Sequence, residues 1–122
     1  MNKIVLVGRV DSDAHFKITP KGKRRLWFRV CCVSESYDET GRTREHQTWL
    51  SVVCWGGRAE GLRGSLPRGQ WVAVEGRIGH WKRDGEHPPR WETEVVASEI
   101  TRLADRGPVS ALRPPGAGHE AA

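Results

Sequence analysis

The sequence predicts an all-β protein folded as one small closed barrel, and three observations lead there. Apolar residues recur with the two-residue period of strands almost throughout residues 3–103. The strand-like stretches are divided by short signals rich in Gly, Pro and Asp, the residues that suit tight turns. A single segment has any helical character, and it is short. At 122 residues the chain has room for one modest core and a tail, not for two domains.

The elements follow in order. Lys3 to Val10 is β-branched and reads as the first strand; after the polar turn Asp11-Ser12-Asp13, residues His15 to Thr19 are expected to continue it past a bulge. Pro20-Lys21-Gly22-Lys23 is a turn by composition. Arg24 to Ser34 is the second strand, with Leu26, Phe28 and Val30 facing the core and Arg25, Trp27 and Arg29 facing out. The adjacent Cys31 and Cys32 leave the register open beyond that point. Tyr37 to Glu45 is a polar hairpin loop with Gly41 near its tip. Gln47 to Trp55 is the third strand, Leu50, Val52 and Cys54 pointing one way and Trp49, Ser51, Val53 and Trp55 the other. Gly56-Gly57 ends it. Arg58 to Leu66 is the helix, weak because Gly61 and Gly64 each cost about 1 kcal/mol relative to Ala. Gln70 to Trp81 is the fourth strand, with Val72, Val74 and Ile78 alternating with Ala73, Glu75 and Arg77. Lys82 to Pro89 is a charged hairpin tip, and Arg90 to Leu103 is the fifth strand.

Five strands with one short helix between the third and fourth is the order of an OB-fold, a five-stranded Greek-key barrel that binds oligonucleotides and oligosaccharides. A β-sandwich would want more strands, and a ferredoxin-like fold two good helices. The expected organisation is an OB domain over residues 1–103 and, over residues 104–122, a disordered Gly/Pro/Ala-rich tail that has little with which to bury a core.

Six tryptophans, beside one Tyr and two Phe, are far more indole than a core of this size needs. About two are expected to fill the core or a subunit contact, Trp71 and Trp91 being the candidates. The others stand among cations, and fifteen of the twenty cations are Arg, which stacks on bases and forks onto phosphates. A net charge of +5 points to a polyanionic partner. Flat π-faces interleaved with guanidinium groups suit unstacked bases strung on a phosphate backbone.

Other chemistries find little support. Cys31, Cys32 and Cys54 form no CxxC pair, and the five His are scattered, so neither a metal site nor a disulfide scaffold is expected. Glu75, Glu92 and Glu94 sit among cations on strands rather than as a catalytic pair. No catalytic residue and no cofactor is expected. The apolar run Ile4-Val5-Leu6-Val7 is too short for a signal segment or a membrane span, so a cytoplasmic protein without a membrane partner is expected.

Four segments carry a resemblance. Met1-Asn2-Lys3-Ile4-Val5-Leu6-Val7-Gly8-Arg9-Val10, Thr48-Trp49-Leu50-Ser51-Val52-Val53-Cys54-Trp55-Gly56, the stretch from Leu66-Pro67-Arg68-Gly69 to Val72-Ala73-Val74-Glu75-Gly76-Arg77-Ile78, and Trp91-Glu92-Thr93-Glu94-Val95-Val96 resemble, in order and spacing, the bacterial single-stranded DNA-binding (SSB) family. The resemblance covers residues 1–103. It implies an OB-fold protomer that coats single-stranded DNA in replication, recombination and repair, as a homotetramer ahead of a dimer. It also implies site residues: Trp49 and Trp55 as stacking positions, Tyr37 as an aromatic at the root of a loop, and Trp81 substituting for an aromatic two residues further on. Lys3, Arg68 and Lys82 match basic positions that contact phosphate. Trp27 and Arg29, facing out on the second strand, are the remaining nucleic-acid candidates, a subunit interface being an equal alternative for Trp27.

Two departures bear on partners. The chain ends Gly118-His119-Glu120-Ala121-Ala122, without the family's acidic tip, so recruitment of repair or replication proteins through such a tip is not expected. Leu50 stands where many members carry a polar residue near the subunit interface. The alternatives are an OB adaptor of a primosome-like complex, whose aromatic face docks proteins, and an RNA-binding OB protein, since stacking alone does not reject a 2′-OH.

Overall fold

The computed structural model of the chain describes residues 1–83, 88 and 90–104, with the side chains of residues 81–83 outside that description. The expected disordered tail beyond Ala104 and the turn at Asp84-Gly85 therefore lie outside the described residues. Six strands and one helix occur in the order β1 (Ile4–Val10), β2 (His15–Ile18), β3 (Arg24–Tyr37), β4 (Thr43–Trp55), α1 (Gly57–Leu62), β5 (Trp71–Arg83) and β6 (Arg90–Leu103).

The sheet runs β1-β5-β6-β4-β3-β2 and closes on itself through a β1–β3 pairing. Every neighbouring pair is antiparallel except β4 with β6. A closed five-strand ring with the helix between β4 and β5 is the OB barrel expected from the element order. Closure removes the edges of the ring strands, and β2 is a short ribbon added outside β3.

The interior is filled by alternate residues of each strand. Val10, Leu26, Phe28, Val30, Val52, Cys54, Val72, Val74 and Val95 are buried, joined by Ala59 of α1 and Leu66 beyond it. Inward and outward parity on β3, β4 and the first half of β5 is as the alternation predicts.

Four local expectations are corrected. His15–Ile18 does not prolong β1 but turns back to pair with β3, from Ile18↔Arg24 to His15↔Trp27. The polar segment Tyr37–Glu45, read as a loop, is ladder at both its ends, where Tyr37↔Thr43, Ser36↔Arg44 and Glu35↔Glu45 pair. Polar residues obey the two-residue period as well as apolar ones when both faces meet water. Only Asp38–Arg42 remain as the turn. Asp38 Oδ1 accepts from the Thr40 and Arg42 amides at 2.9 Å each, and Gly41 supplies the positive φ of 79°. The helix is shorter than read, ending at Leu62, with no side-chain cap at Gly56. Ile78, expected in the core, is 40% exposed: a register shift at Glu75/Gly76 carries the end of β5 beyond the barrel, where parity no longer implies burial.

The Cys31-Cys32 register is settled as well. Cys32 takes the inward parity of Val30, half-buried, with its thiol pushed up to about 11 by desolvation and by Cys31. Cys31 takes the outward parity yet is buried, because β3 is flanked there by both β1 and β4.

Candidate nucleic-acid interface

The outward residues of β3 and β4 form the centre of the site. Their ladder sets Arg25 opposite Trp55, Trp27 opposite Val53, Arg29 opposite Ser51, and Cys31 opposite Trp49, so all eight share one face. On the far side of β4, Val53 meets Val96 of β6. Val53 is fully buried despite its outward parity, between Trp27 and Val96 in the ladder. The face thus has a firm apolar floor from which the larger aromatics rise.

A groove of about 740 Å³ runs over this surface, bounded by Trp27, Trp49 and Trp91 with Arg25 and Arg29 along it and Ser51 and Thr93 in its wall. That volume is in the range of small-molecule sites, enough for nucleotide-sized groups rather than an ion. A neighbouring recess is lined by Lys23, Arg24 and Trp55, between Gly22 and Gly56. Cations therefore accompany the aromatics along both depressions, as a phosphate backbone requires.

The tryptophans are not equivalent. Trp49 is 45% exposed, and its indole Nε1–H donates to Asp11 Oδ2 at 2.7 Å. Trp55 is 40% exposed, with the Arg25 guanidinium carbon 5.8 Å from its ring centroid, within reach of a cation–π attraction. Trp27 is half-buried, and His15 on β2 stacks on it with centroids 5.5 Å apart and planes 27° apart. One face of Trp27 is thereby occupied.

Beneath the cations lies an acid. Glu94 is 9% exposed, its Oε2 3.9 Å from Arg25 Nη2 and without a hydrogen-bond partner among the described residues. Desolvation pushes its carboxyl above the ordinary glutamate range, against the pull of Arg25 and Arg77. Between the ordinary value of 4.5 and the raised one, the folded protein holds a proton that the unfolded chain does not. Stability from this group is therefore full below 4.5 and is lost as pH rises through the raised value. Glu94→Gln is expected to flatten that decline, read as melting temperature against pH for both proteins; parallel curves would show that Glu94 does not titrate in that window.

The structure brings together Trp27, Arg29, Trp49 and Trp55 and leaves other expected residues apart. Tyr37 keeps the outward parity but stands six residues beyond Cys31 on β3, roughly 20 Å further along the ribbon, 49% exposed. Lys3 flanks β1, away from the β3–β4 face, and its Nζ is 2.7 Å from Glu75 Oε1. Arg68 is exposed in the α1–β5 loop, which Gly69 and Gln70 tie to Val10 through backbone bonds of 2.7 and 2.8 Å. The side chains of Trp81 and Lys82 lie outside the described residues; the ladder sets Trp81 opposite Glu92 and Lys82 opposite Trp91.

Trp91 was expected at a barrel end or a subunit contact. It is 67% exposed and walls the groove with Trp27 and Trp49. By alternation it shares the parity of the buried Val95, so strand pattern counts it as core. The extension of β6 past the barrel reverses that, and only the neighbouring Arg90 hinted at it in the sequence. Trp71 is half-buried opposite Arg9 and Leu103, in the row that continues through Cys31 to Trp49. Among the described residues, no cluster of three His, Cys, Asp or Glu could hold a metal ion, and no helix is long and apolar enough to cross a membrane.

Comparison with known proteins agrees with the resemblance seen in the four segments. The profile described as "Single-strand binding protein family" matches residues 1–103. The single-stranded DNA-binding protein of Clostridium tetani is 31% identical over 106 residues, spanning 84% of this chain and 70% of that one. Its counterpart in Xanthomonas campestris is 31% identical over 108 residues, spanning 88% and 63%. Among solved structures, a deletion mutant of the Thermus aquaticus single-stranded DNA-binding protein superposes with a TM-score of 0.78 at 31% identity. The match covers 88% of this chain and about half, 52%, of that one. A Plasmodium falciparum SSB solved with single-stranded DNA has a TM-score of 0.76 at 24% identity, covering 84% of this chain and 95% of that one; at that identity the likeness speaks to fold alone.

Proposed function

We propose, from the premise that this chain belongs to the single-strand binding protein family, that it binds single-stranded DNA without reading its sequence and shields it during replication, recombination and repair. The observation that carries this reading is the joint exposure of Trp49, Trp55 and Trp91 at 45%, 40% and 67% beside Arg25 and Arg29 and the Lys23-Arg24 recess. A folded chain has little reason to hold three indoles in water along a cationic groove and the cationic recess beside it unless a planar, anionic polymer covers them.

In this mechanism Trp49, Trp55 and Trp91 are stacking platforms, and Trp27, partly covered by His15, supports the groove between them. Every base has a π-face, so stacking is indifferent to sequence. A duplex hides those faces and is discriminated against without any base-edge contact. Arg25, Arg29, Lys23 and Arg24 neutralise phosphates; Arg68, Lys82 and Lys3 extend the track, Lys3 the least because Glu75 already holds it. Trp81 and Tyr37 lengthen the aromatic path. The protomer acts as a homo-oligomer in the cytoplasm, testable by mass in solution with and without an oligonucleotide.

No catalytic step is involved. Cys54, next to Trp55 in sequence, is buried, and desolvation pushes its thiol up despite Arg58 and the Trp55 amide. A thiol held protonated is a poor nucleophile.

Titration with oligo-dT is expected to quench tryptophan fluorescence, and the logarithm of affinity to fall linearly with the logarithm of salt. Four to five neutralised phosphates imply a slope of roughly −3 for a single strand. An unquenched spectrum, or an affinity indifferent to salt, would refute the reading. A matched RNA strand in competition tests whether the groove prefers deoxyribose.

A further inference from the structure

We infer that Asp11 is a positioning residue of the binding face: by accepting the Trp49 indole N–H, its carboxylate fixes the plane of that ring and keeps one π-face open to a base. The inference rests on the strand-binding reading and deepens it, since Asp11 belongs to none of the aromatic or cationic positions that reading uses.

The bond is short, 2.7 Å from Nε1 to Oδ2, and charge-assisted. It joins residues 38 positions apart, and Asp11 is held before it reaches the indole. Its own amide donates to the Arg29 carbonyl at 2.8 Å, and the next residue, Ser12, accepts from the Arg29 amide through Oγ at 3.0 Å. On the other side, Val10 exchanges backbone bonds with Gly69 and Gln70. The carboxylate is therefore presented from a stiff corner, where β1 leaves the barrel, to a ring that rises from β4. Trp49 is nearly half exposed, and an indole so placed samples several rotamers unless something holds it. Stacking then incurs the entropy of ordering the ring; a ring ordered in advance does not.

A carboxylate beside a phosphate track is otherwise a disadvantage. Asp11 lies next to the strand that carries Arg29, and Arg9 Nη2, 3.8 Å from Oδ1, offsets its charge only in part. Bare electrostatics predicts that deleting the carboxylate tightens binding to a polyanion. Positioning predicts that it loosens. The two roles have opposite signs, and this makes the inference decidable.

The experiment measures affinity for a labelled oligo-dT strand by anisotropy, for wild type, Asp11→Ala, Asp11→Asn, Trp49→Ala and Asp11→Ala/Trp49→Ala. Asp11→Ala is expected to bind roughly 3- to 10-fold more weakly, part of the cost of losing one stacked base. Asp11→Asn keeps an oxygen for the indole and drops the charge, so it should bind at least as tightly as wild type. In the Trp49→Ala background, Asp11→Ala should not weaken binding further. The Trp49 indole N–H resonance, expected far downfield in wild type, should move upfield in Asp11→Ala and stay near its place in Asp11→Asn.

Asp11→Ala binding as tightly as wild type or tighter, or the same loss recurring without Trp49, overturns the inference. Should Asp11→Ala not fold, Asp11→Asn and the wild-type resonance decide: weakened binding by the former, or an indole N–H at the random-coil position, overturns it. Normal wild-type binding with an indifferent Asp11→Ala defeats this inference alone; no binding by the wild type defeats the strand-binding reading as well.

Discussion

Trp49→Ala/Trp55→Ala is expected to bind single-stranded DNA roughly 30-fold to 10⁴-fold more weakly than wild type, at about 1–3 kcal/mol for each stacked base lost. Near-additivity follows from geometry. The two residues are six apart on β4, roughly 20 Å at the rise of a strand, and share no partner: Trp49 is held by Asp11 and Trp55 lies under Arg25. The fold should survive, because neither ring belongs to the core cluster and both are more than a third exposed. Anisotropy of a labelled oligo-dT strand is the suitable measurement, since the fluorophores themselves are being removed. A double variant within threefold of wild type, with an unchanged circular dichroism spectrum, would mean that affinity resides elsewhere than in β4 stacking.

Gly76→Ala should damage the fold more than any surface change. Gly76 is buried where β5 shifts register against β6, opposite Ala97. A Cβ there would run into the Val96 carbonyl oxygen and stand 2.9 Å from the Ala97 Cα. Both are backbone atoms of a closed sheet and cannot rotate aside. The expected destabilisation is about 3 kcal/mol, the upper end of overpacking costs. A barrel of this size should then melt more than about 10 °C lower. The β5–β6 ribbon that carries Trp81 and Trp91 begins at this bulge, so strand affinity should fall with stability. A melting temperature within a few degrees of wild type would show that the ladder can re-register without loss. Gly79→Ala is a suitable control: its nearest contact would be the Val96 Cγ2 at 3.0 Å, a side-chain atom that can shift.

How much of this could be read in advance differs between strands. On β3 from Arg24 to Val30 and on β4 from Gln47 to Trp55, inward and outward parity was legible. Leu26, Phe28 and Val30 alternate with Arg25, Trp27 and Arg29, and a two-residue period states which side chains are buried. Hence the central aromatics, Trp49 and Trp55, were assigned outward from periodicity and found there. The family resemblance was equally legible, because it lies in short segments whose order survives at 31% identity.

Where a strand's surroundings change along its length, periodicity misled. Ile78 and Trp91 have inward parity but lie on the part of the β5–β6 ribbon that has left the barrel, so they meet water. Cys31 and Val53 have outward parity but are covered by neighbouring strands and large side chains, so they do not. Parity is a local property of a chain and burial a property of what stands opposite it.

Composition and alternation alone therefore determined a succession of β-strands with outward rows rich in Trp and Arg, because both follow from residues two apart or a few apart in sequence. Pairings across long separations were settled by the folded chain only: Asp11 with Trp49, Arg25 with Glu94, His15 with Trp27, Gly76 against Val96. Each depends on which strands become neighbours when the ring closes, and sheet closure is a condition on the whole molecule.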